Sequence, residues 1–348
     1  MKALLFEWLT GGGLWLDSTP LDPAGPMLRQ GSAMVSAVGL DLAKFAEVDL
    51  LIDSRLDQPK APVSSAIVET AATLNGLTQL AQVHSIDSDA ALKNKLQSLA
   101  ADADAILLIA PETDDCLADS IRWLGPAQHK LISPSLDFVV ATSNKNQLAE
   151  RLTQQGFDAL PQGTDLASFL KLPSQQQATW LPLVVKPSDG AGSEGVEYFA
   201  TVAELDTWLT QNSAIQQADF RIERFVSGTP ASIAVVCQPG SEPVFFSAMK
   251  QVLRPQPIGE YLRSEDCLSE SQKLRAKNLA ARAINCLPET TGFFGLDIVL
   301  SEQNDQLPAN DVLIEINPRV TMSYLELRRQ FGDGQIAQMM HGRLVKPQ

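Results

Sequence analysis

The sequence has few of the residues on which most transition-metal sites and nucleophilic mechanisms depend. Its 348 residues include only three histidines and four cysteines, and no two cysteines form a CxxC pair. The histidines, His84, His129 and His341, lie far apart in the sequence. We therefore expect neither a zinc site nor a mechanism that needs a histidine cluster. Any bound metal should be a hard cation held by oxygen atoms.

Positive charge and long apolar segments are also scarce. The chain has 27 Lys and Arg against 41 Asp and Glu, a net charge of −14. Phosphate backbones and anionic lipids attract basic surfaces, so we expect no nucleic-acid partner and no membrane partner. The longest apolar runs, such as 105–111, are far shorter than the ~20 residues of a membrane span. Glu7 and three glycines interrupt the apolar start of the chain, which favours a cytoplasmic protein with reduced cysteines.

The composition is that of a globular protein with a substantial core, 45% hydrophobic and 20% charged. Over the first ~130 residues, short apolar runs alternate with helical stretches such as Glu112–Leu124, which predicts an open α/β layer. Beyond Ser143 the pattern changes to α+β with hairpin-type turns, which predicts an antiparallel core. We predict three domains with the boundaries 1–140, 141–225 and 226–348.

The first motif with chemical meaning is a strand that ends in a lysine and a glycine-rich loop. The strand Leu181–Lys186 is followed by the loop Asp189–Gly195, which contains three glycines. Glycines allow backbone N–H groups to approach phosphate oxygens, and a lysine supplies a point charge. No GKS or GKT follows, so this is not a Walker A loop. The alternative is a glycine-rich hairpin with no ligand.

The second motif places acids on two apolar strands near the C-terminus. Asp297 lies within the strand Gly292–Leu300, and Glu315 and Asn317 are two residues apart at the end of the next strand. Residues two apart on a strand face the same side. Two carboxylates and an amide oxygen suit Mg²⁺, which fills its remaining positions with water and phosphate oxygens. The alternative is that these acids are simply solvated, but unpaired carboxylates on apolar strands are costly.

The third motif, Ile222–Gly228, joins two predicted strands and contains Glu223. Such an edge could hydrogen-bond the rim of an adenine, although ordinary strand chemistry explains the motif better when it is taken alone.

In this order, the three motifs resemble the ATP-grasp superfamily. The resemblance implies an ATP-grasp fold behind an N-terminal open α/β domain, with ATP and Mg²⁺ (or Mn²⁺) as cofactors. It assigns the nucleotide to Lys145, Lys186, Gly190, Gly192, Ser193, Gly195, Glu223, Arg224, Phe225 and Val226. It assigns the metal to Asp297, Glu315 and Asn317. The chain departs from the superfamily at Thr229–Ser232, where many members have a glutamate that binds the ribose.

The N-terminal third narrows this resemblance. Phe6–Gly13, Leu28–Met34, Ile109–Thr113 and the ending Ile314–Tyr324 are similar to the tyramine–glutamate ligases of methanofuran biosynthesis. That family joins the γ-carboxylate of L-glutamate to the amine of tyramine, and converts ATP to ADP and phosphate. The resemblance implies the same reaction and these two substrates here. The sequence indicates no oligomeric state.

The residue types agree with this chemistry. A carboxylate becomes reactive as an acyl phosphate, and phosphoryl transfer needs positioning and charge neutralisation more than a protein nucleophile. Besides Lys186, Arg319 is the predicted catalytic residue, because it could stabilise the transferring phosphoryl group or the tetrahedral intermediate. Its alternative is a surface ion pair. Glu7, Gly12, Glu112 and Arg319 are candidates for the substrate side, although cap and turn roles explain the first three equally well.

Two other functions stay open at this point. One is an ATP-grasp ligase that uses an amino-acid or peptide amine in place of tyramine. The other is a non-catalytic nucleotide-binding regulator, against which the presence of all three metal ligands counts.

Overall fold

The computed structural model describes residues 1–15, 25–57, 65–190, 192, 194–254, 261–302 and 310–342, with only the backbone described for Pro26, Asp57 and 65–68. Ser193, a predicted nucleotide-binding residue, lies outside the described residues. In the described part of the chain, no helix has both the length and the apolarity of a bilayer span.

A parallel four-stranded sheet of order β3-β2-β1-β4 organises the N-terminal region. Its strands are β1 Lys2–Glu7, β2 Glu47–Asp53, β3 Gln82–Ile86 and β4 Ala105–Ile109. Its helices are α1 Gly25–Leu42, α2 Ser54–Asp57, α3 Ser65–Thr78, α4 Asp89–Asp102, α5 Cys116–Trp123 and α6 Leu136–Ser143. β1, β2 and β4 are buried apolar runs, as is typical of a parallel sheet whose two faces are covered by helices. The predicted open α/β layer is confirmed.

The helix predicted over Glu112–Leu124 is wrong at its start. A 3₁₀ turn occupies Thr113–Asp115, and the α-helix begins only at Cys116. Asp114 and Asp115 have φ values of 53° and 58°. An α-helix of L-residues excludes this left-handed conformation, although aspartate tolerates it better than most residues. The acids therefore form a turn after β4 and do not belong to the first turn of a helix.

The middle of the chain forms an antiparallel sheet of order β5-β8-β6-β7. Its strands are β5 Gly163–Asp165, β6 Leu183–Pro187, β7 Glu197–Phe199 and β8 Phe220–Arg224. The helices of this region are α7 Lys145–Gln154, α8 Leu166–Phe169, α9 Ser174–Ala178 and α10 Val202–Gln211. Leu183, Val185 and Ile222 are fully buried against α8 and α10, so the sheet keeps one apolar face and leaves the other for the site.

The C-terminal part forms a second antiparallel sheet, of order β12-β11-β9-β13-β14, with β10 also paired to β9. Its strands are β9 Thr229–Cys237, β10 Val244–Phe245, β11 Met249–Leu253, β12 Tyr261–Glu265, β13 Gly292–Leu300 and β14 Val312–Asn317. Its helices are α11 Glu270–Ile284, α12 Ser323–Phe331 and α13 Gln335–Met340. β9 and β13 pair along their whole length. The predicted antiparallel core is confirmed.

Buried polar contacts join the first and last regions of the chain. Asp41 on α1 accepts hydrogen bonds from Tyr324 Oη at 2.9 Å and from Arg328 Nε at 2.8 Å, both on α12. Burial outweighs these partners and raises the pKa of Asp41. This junction packs α12, the helix that follows β14, against α1 of the N-terminal region.

Candidate functional site

A cavity of about 480 Å³ lies between the two antiparallel sheets and reaches α1. Most of the predicted nucleotide, metal and catalytic residues line it: Lys145, Lys186, Gly190, Gly192, Glu223, Arg224, Phe225, Val226, Asp297, Glu315, Asn317 and Arg319. Gly195 is not among the lining residues. It has a φ of 70°, and a Cβ there would come within 3.0 Å of Pro187, so its place is in the turn of the loop.

One end of the cavity is built around a fully buried carboxylate. Glu223 lies 2.7 Å from Lys186 Nζ and 2.6 Å from Arg221 Nε. Burial acts to raise the pKa of Glu223, but the two cations outweigh it and the net pKa is lowered. Arg221 also donates to Asn146 Oδ1 at 3.2 Å. Lys186 is therefore held in place with its ammonium group on the cavity wall.

Arg221 and Asn146 of this network are not among the site residues predicted from the sequence. Arg221 lies two residues before Glu223 on β8, and the register pairs it with Lys186 on β6. Residues two apart on a strand share a face, so the spacing to Glu223 was the available signal. Nothing in the sequence indicated that Asn146 reaches Arg221.

The predicted hinge offers backbone groups to the cavity. The Arg224 and Phe225 N–H groups donate to Gln162 O and Pro182 O, both at 2.8 Å. Val226 lines the cavity, and its N–H has no hydrogen-bond acceptor among the described residues. This N–H is therefore a candidate donor to the ring acceptor of a flat heterocycle.

A second part of the cavity, called the acidic end below, brings the acids of β13 and β14 together. The antiparallel register pairs Asp297 with Glu315 and Gly295 with Asn317, which puts the three polar side chains on one face. Asp297 accepts from Gln251 Nε2 at 2.7 Å and from Asn317 Nδ2 at 2.9 Å. The arrangement that the second motif predicted is therefore present.

The two acids of this acidic end have different electrostatic surroundings. Burial, together with the Glu315 carboxylate, raises the pKa of Asp297 to about 7. Burial also acts to raise the pKa of Glu315, but the ammonium groups of Lys145 and Lys186 prevail and lower it. Lys145 Nζ lies 3.4 Å from Glu315 and donates to Gly190 O at 2.7 Å, so it joins the acids to the glycine-rich loop.

These ligands fit a hard divalent cation. Two carboxylates that hinder each other's ionisation gain from a cation between them, and the third group is an amide oxygen. In the described part of the chain, no three His, Cys, Asp or Glu side chains cluster as metal ligands. The set of Asp297, Glu315 and Asn317 thus leaves room for oxygens from water and a phosphate.

Arg319 follows the acidic strand and is paired with a residue of the N-terminal region. Its Nε lies 3.0 Å from Glu112 Oε1, and its Nη2 donates to Glu112 Oε2 at 3.2 Å. Glu112 is almost completely buried and does not line the cavity, whereas Arg319 does. The ion pair that the alternative expected for Arg319 is therefore present, but it is largely buried and does not lie on the surface.

Glu7 and Gly12 also lie outside the cavity lining. The Glu7 carboxylate accepts from the Thr10 N–H at 2.7 Å and the Leu9 N–H at 3.2 Å. Burial raises the pKa of Glu7. Gly12, with φ of 98°, has no room for a Cβ beside Ile86. Both residues shape the turn after β1, while the N-terminal region reaches the cavity through Gln30 on α1.

Comparison with known families agrees with this geometry. The sequence model of the ATP-grasp domain matches residues 142–323, and that of the pre-ATP-grasp 3 domain matches residues 46–139. The chain belongs to the ATP-grasp family. The predicted ATP-grasp fold with an N-terminal pre-ATP-grasp domain is confirmed, and so, at the level of the family, is the predicted class of ATP-dependent ligase.

Solved structures share the fold at low sequence identity. A protein of the ATP-grasp superfamily from Archaeoglobus fulgidus matches with a TM-score of 0.67 and 19% identity, over 99% of this chain and 89% of that one. N5-carboxyaminoimidazole ribonucleotide synthetase from Thermotoga maritima gives 0.62 and 17%, over 99% and 77%. Biotin carboxylase from Campylobacter jejuni gives 0.67 and 14%, over 100% and 72%. No curated protein sequence matches the chain significantly.

Proposed function

We propose that the protein is an ATP-dependent carboxylate–amine ligase that uses this cavity for the nucleotide and the transferred phosphoryl group. The observation that carries the proposal is the convergence of Lys145, Lys186 and the acids of β13 and β14 on one cavity. A non-catalytic regulator would need the nucleotide end alone. The additional acidic end favours an enzyme.

In this proposal the adenine ring and the phosphates of ATP bind to different parts of the cavity. The Val226 N–H binds the adenine ring, and Lys186, Lys145 and the glycine-rich loop bind the phosphates. Asp297, Glu315 and Asn317 would hold Mg²⁺ or Mn²⁺. When bound, the metal neutralises phosphate charge and favours attack on the terminal phosphorus. No acid occurs at Thr229–Ser232, so the ribose contact is left to other residues.

The reaction then has two steps. A substrate carboxylate oxygen attacks the γ-phosphorus and displaces ADP, which gives an acyl phosphate. The amine nitrogen attacks the acyl carbon, phosphate leaves, and the nitrogen loses a proton. Arg319 lies next to the acidic end and can stabilise the negative charge on the phosphoryl oxygens and on the tetrahedral intermediate.

L-Glutamate and tyramine are the substrates that the sequence motifs favour, with the γ-carboxylate as the acid. The Phe6–Gly13 and Ile314–Tyr324 segments carry this specific proposal. A cytoplasmic location is consistent with these metabolites and is proposed with them.

One observation favours a second candidate, a ligase for an amino-acid amine. The carboxylates among the described lining residues are Glu194, Glu223, Asp297 and Glu315. Glu194 is in the glycine-rich loop, and the other three have the partners described above. The cations among the described lining residues are Lys145, Lys186, Arg224, Arg254 and Arg319. A cationic wall suits an amine that carries its own carboxylate better than it suits tyramine.

The test is ADP release with L-glutamate and a panel of amines, with each product identified by mass spectrometry. We expect γ-glutamyltyramine, with dopamine nearly as good because an apolar site rejects an added hydroxyl weakly. Phenylethylamine should be much poorer if the phenol is hydrogen-bonded. Turnover with amino acids but not tyramine would select the second candidate, and ADP release with none of the amines would contradict both.

A further inference from the structure

The short segment Glu112–Asp115, two residues after β4, contacts both the cavity-lining Arg319 and the start of the glycine-rich loop. Glu112 pairs with Arg319 at the end of β14. The Asp114 N–H donates to Asp189 Oδ2 in the glycine-rich loop at 3.2 Å. The segment belongs to the N-terminal region, whereas both of its partners belong to the nucleotide-binding part of the chain. It therefore joins the end of β14 to the glycine-rich loop, and none of its residues lines the cavity.

The backbone of this segment is held in an unusual conformation. Asp114 and Asp115 are consecutive non-glycine residues with positive φ. Such a conformation persists where surrounding contacts determine it. Here Glu112, which precedes the left-handed pair, contacts Arg319, and Asp114, the first residue of the pair, contacts Asp189. These two contacts help to hold the turn from which the Glu112 carboxylate reaches Arg319.

The Arg319–Glu112 pair leaves the guanidinium with donors to spare. A guanidinium has five N–H donors. Glu112 Oε2 takes one from Nη2, and Val320 O lies 3.5 Å from Nη1. Nε lies 3.0 Å from Glu112 Oε1 but has no hydrogen-bond partner among the described residues. Glu112 can therefore fix the plane of the guanidinium while other N–H groups remain for an anionic group in the cavity.

We propose that Glu112 is a positioning residue for Arg319, and that through it the N-terminal region takes part in the transfer step. This inference rests on the proposed ligase function, in which Arg319 stabilises the transferring phosphoryl group or the tetrahedral intermediate. Glu112 touches neither substrate nor nucleotide. It orients Arg319 and balances its charge, so its loss acts on catalysis and leaves nucleotide binding intact.

The central experiment compares Glu112→Gln with the wild-type protein. The glutamine keeps the length of the side chain and removes its charge. We expect kcat to fall by about tenfold or more, because small displacements of a catalytic group are costly, while the KM for ATP stays within about twofold. Glu112→Asp, which retains the carboxylate on a shorter side chain, should recover part of the loss. Added formate should partly rescue Glu112→Ala, since a small carboxylate can replace the missing one.

A second measurement reports on the position of Arg319 without any turnover. In protein labelled with ¹⁵N-arginine, the Nε–H resonance of Arg319 is identified by its absence in Arg319→Lys. We expect this resonance to shift and to exchange faster with water in Glu112→Gln. An unchanged resonance overturns the proposal, whether or not kcat falls, because Glu112 would then act by another route. An unchanged kcat with active wild type overturns it as well.

The matched control is Asp311→Asn. Asp311 and Arg275 form a similarly buried pair at 3.3 Å, away from the cavity lining. This variant should keep kcat within about twofold of the wild-type value. A large fall in kcat would mean that loss of a buried ion pair away from the cavity also slows the reaction, which would contradict a specific role for Glu112. If the wild type releases no ADP with the whole amine panel, the proposed function fails, and the Arg319 resonance alone then decides whether Glu112 positions it.

Discussion

The two ends of the cavity treat buried charge in opposite ways. At the Glu223 end, one carboxylate lies between two cations, Lys186 and Arg221, and its pKa is lowered. At the Asp297 end, two carboxylates face each other across adjacent strands, and the pKa of Asp297 is raised to about 7. Both groups lie on paired antiparallel strands, so the difference is in the partners and not in the fold.

This difference separates structural charge from functional charge. Buried ions that protein partners neutralise hold a site in shape, as Glu223 does for Lys186. A buried carboxylate next to another carboxylate, such as Asp297, costs free energy when it ionises. A bound divalent cation offsets that cost. The acidic end is therefore the part of the cavity where we expect bound ions to change activity and stability most.

The largest expected effect is the loss of all activity when divalent metal is removed. The proposed ligands are all oxygen atoms, so EDTA should abolish ADP formation and Mg²⁺ or Mn²⁺ should restore it, while Zn²⁺ should not. ADP formation is followed by a coupled assay in metal-free buffer. Activity that survives thorough EDTA treatment would contradict the proposal that the acidic end binds a metal ion needed for the reaction.

The next effect is that of single side chains from each end. Glu315→Ala and Lys186→Ala should each lower the rate of ADP formation by on the order of 10³-fold, since each group acts on the charge of the transferred phosphoryl group. Circular dichroism checks that both variants fold. Glu270→Ala, which removes an exposed acid on α11, is the control and should be unaffected. Near-normal turnover in a folded Glu315 or Lys186 variant would contradict the assignment.

At the Glu223 end we expect a stability effect. Glu223→Gln leaves Lys186 and Arg221 without their shared anion, which should lower the free energy of unfolding by about 3 kcal/mol at pH 7. Because the pKa of Glu223 is lowered in the folded protein, its stabilisation is complete above the ordinary value of about 4.3 and is lost as pH falls through the lowered pKa. Urea unfolding at pH 7 and pH 3 should therefore show a smaller difference at pH 3. If the variant and the wild type differed in stability by the same amount at both pH values, the substitution would act through packing and not through charge.

How far the sequence predicted this site depends on the distance between the residues that form it. The acids were predictable because Glu315 and Asn317 are two apart on one strand and Asp297 lies on the preceding one. Lys186 and its glycine-rich loop were equally local. The register of Asp297 opposite Glu315 needed only one antiparallel pairing, and the structure has it.

The remaining contacts required long-range information. Nothing local indicated that Glu112 would meet Arg319, 207 residues later, or that Arg221 would meet Asn146. The turn at Asp114 and Asp115 was missed because acids after a strand also fit the first turn of a helix, where the dipole favours them. Glu7 was predicted on the substrate side, but the N–H groups of its own turn take up its carboxylate.

The smallest expected effect has the opposite sign and tests the acidic end directly. In metal-free buffer at pH 8, Asp297→Asn should raise the free energy of unfolding by about 1–2 kcal/mol, because it removes a carboxylate that repels Glu315. With the pKa of Asp297 raised to about 7, the wild type loses stability as pH rises from about 4 to about 7, and the variant should lack that loss. The two proteins should thus be closest in stability near pH 4. Urea unfolding over this range gives the sign. Destabilisation at pH 8 would show that the hydrogen bonds from Gln251 and Asn317 outweigh the repulsion, and that the two ends of the cavity do not differ in the way their charges indicate.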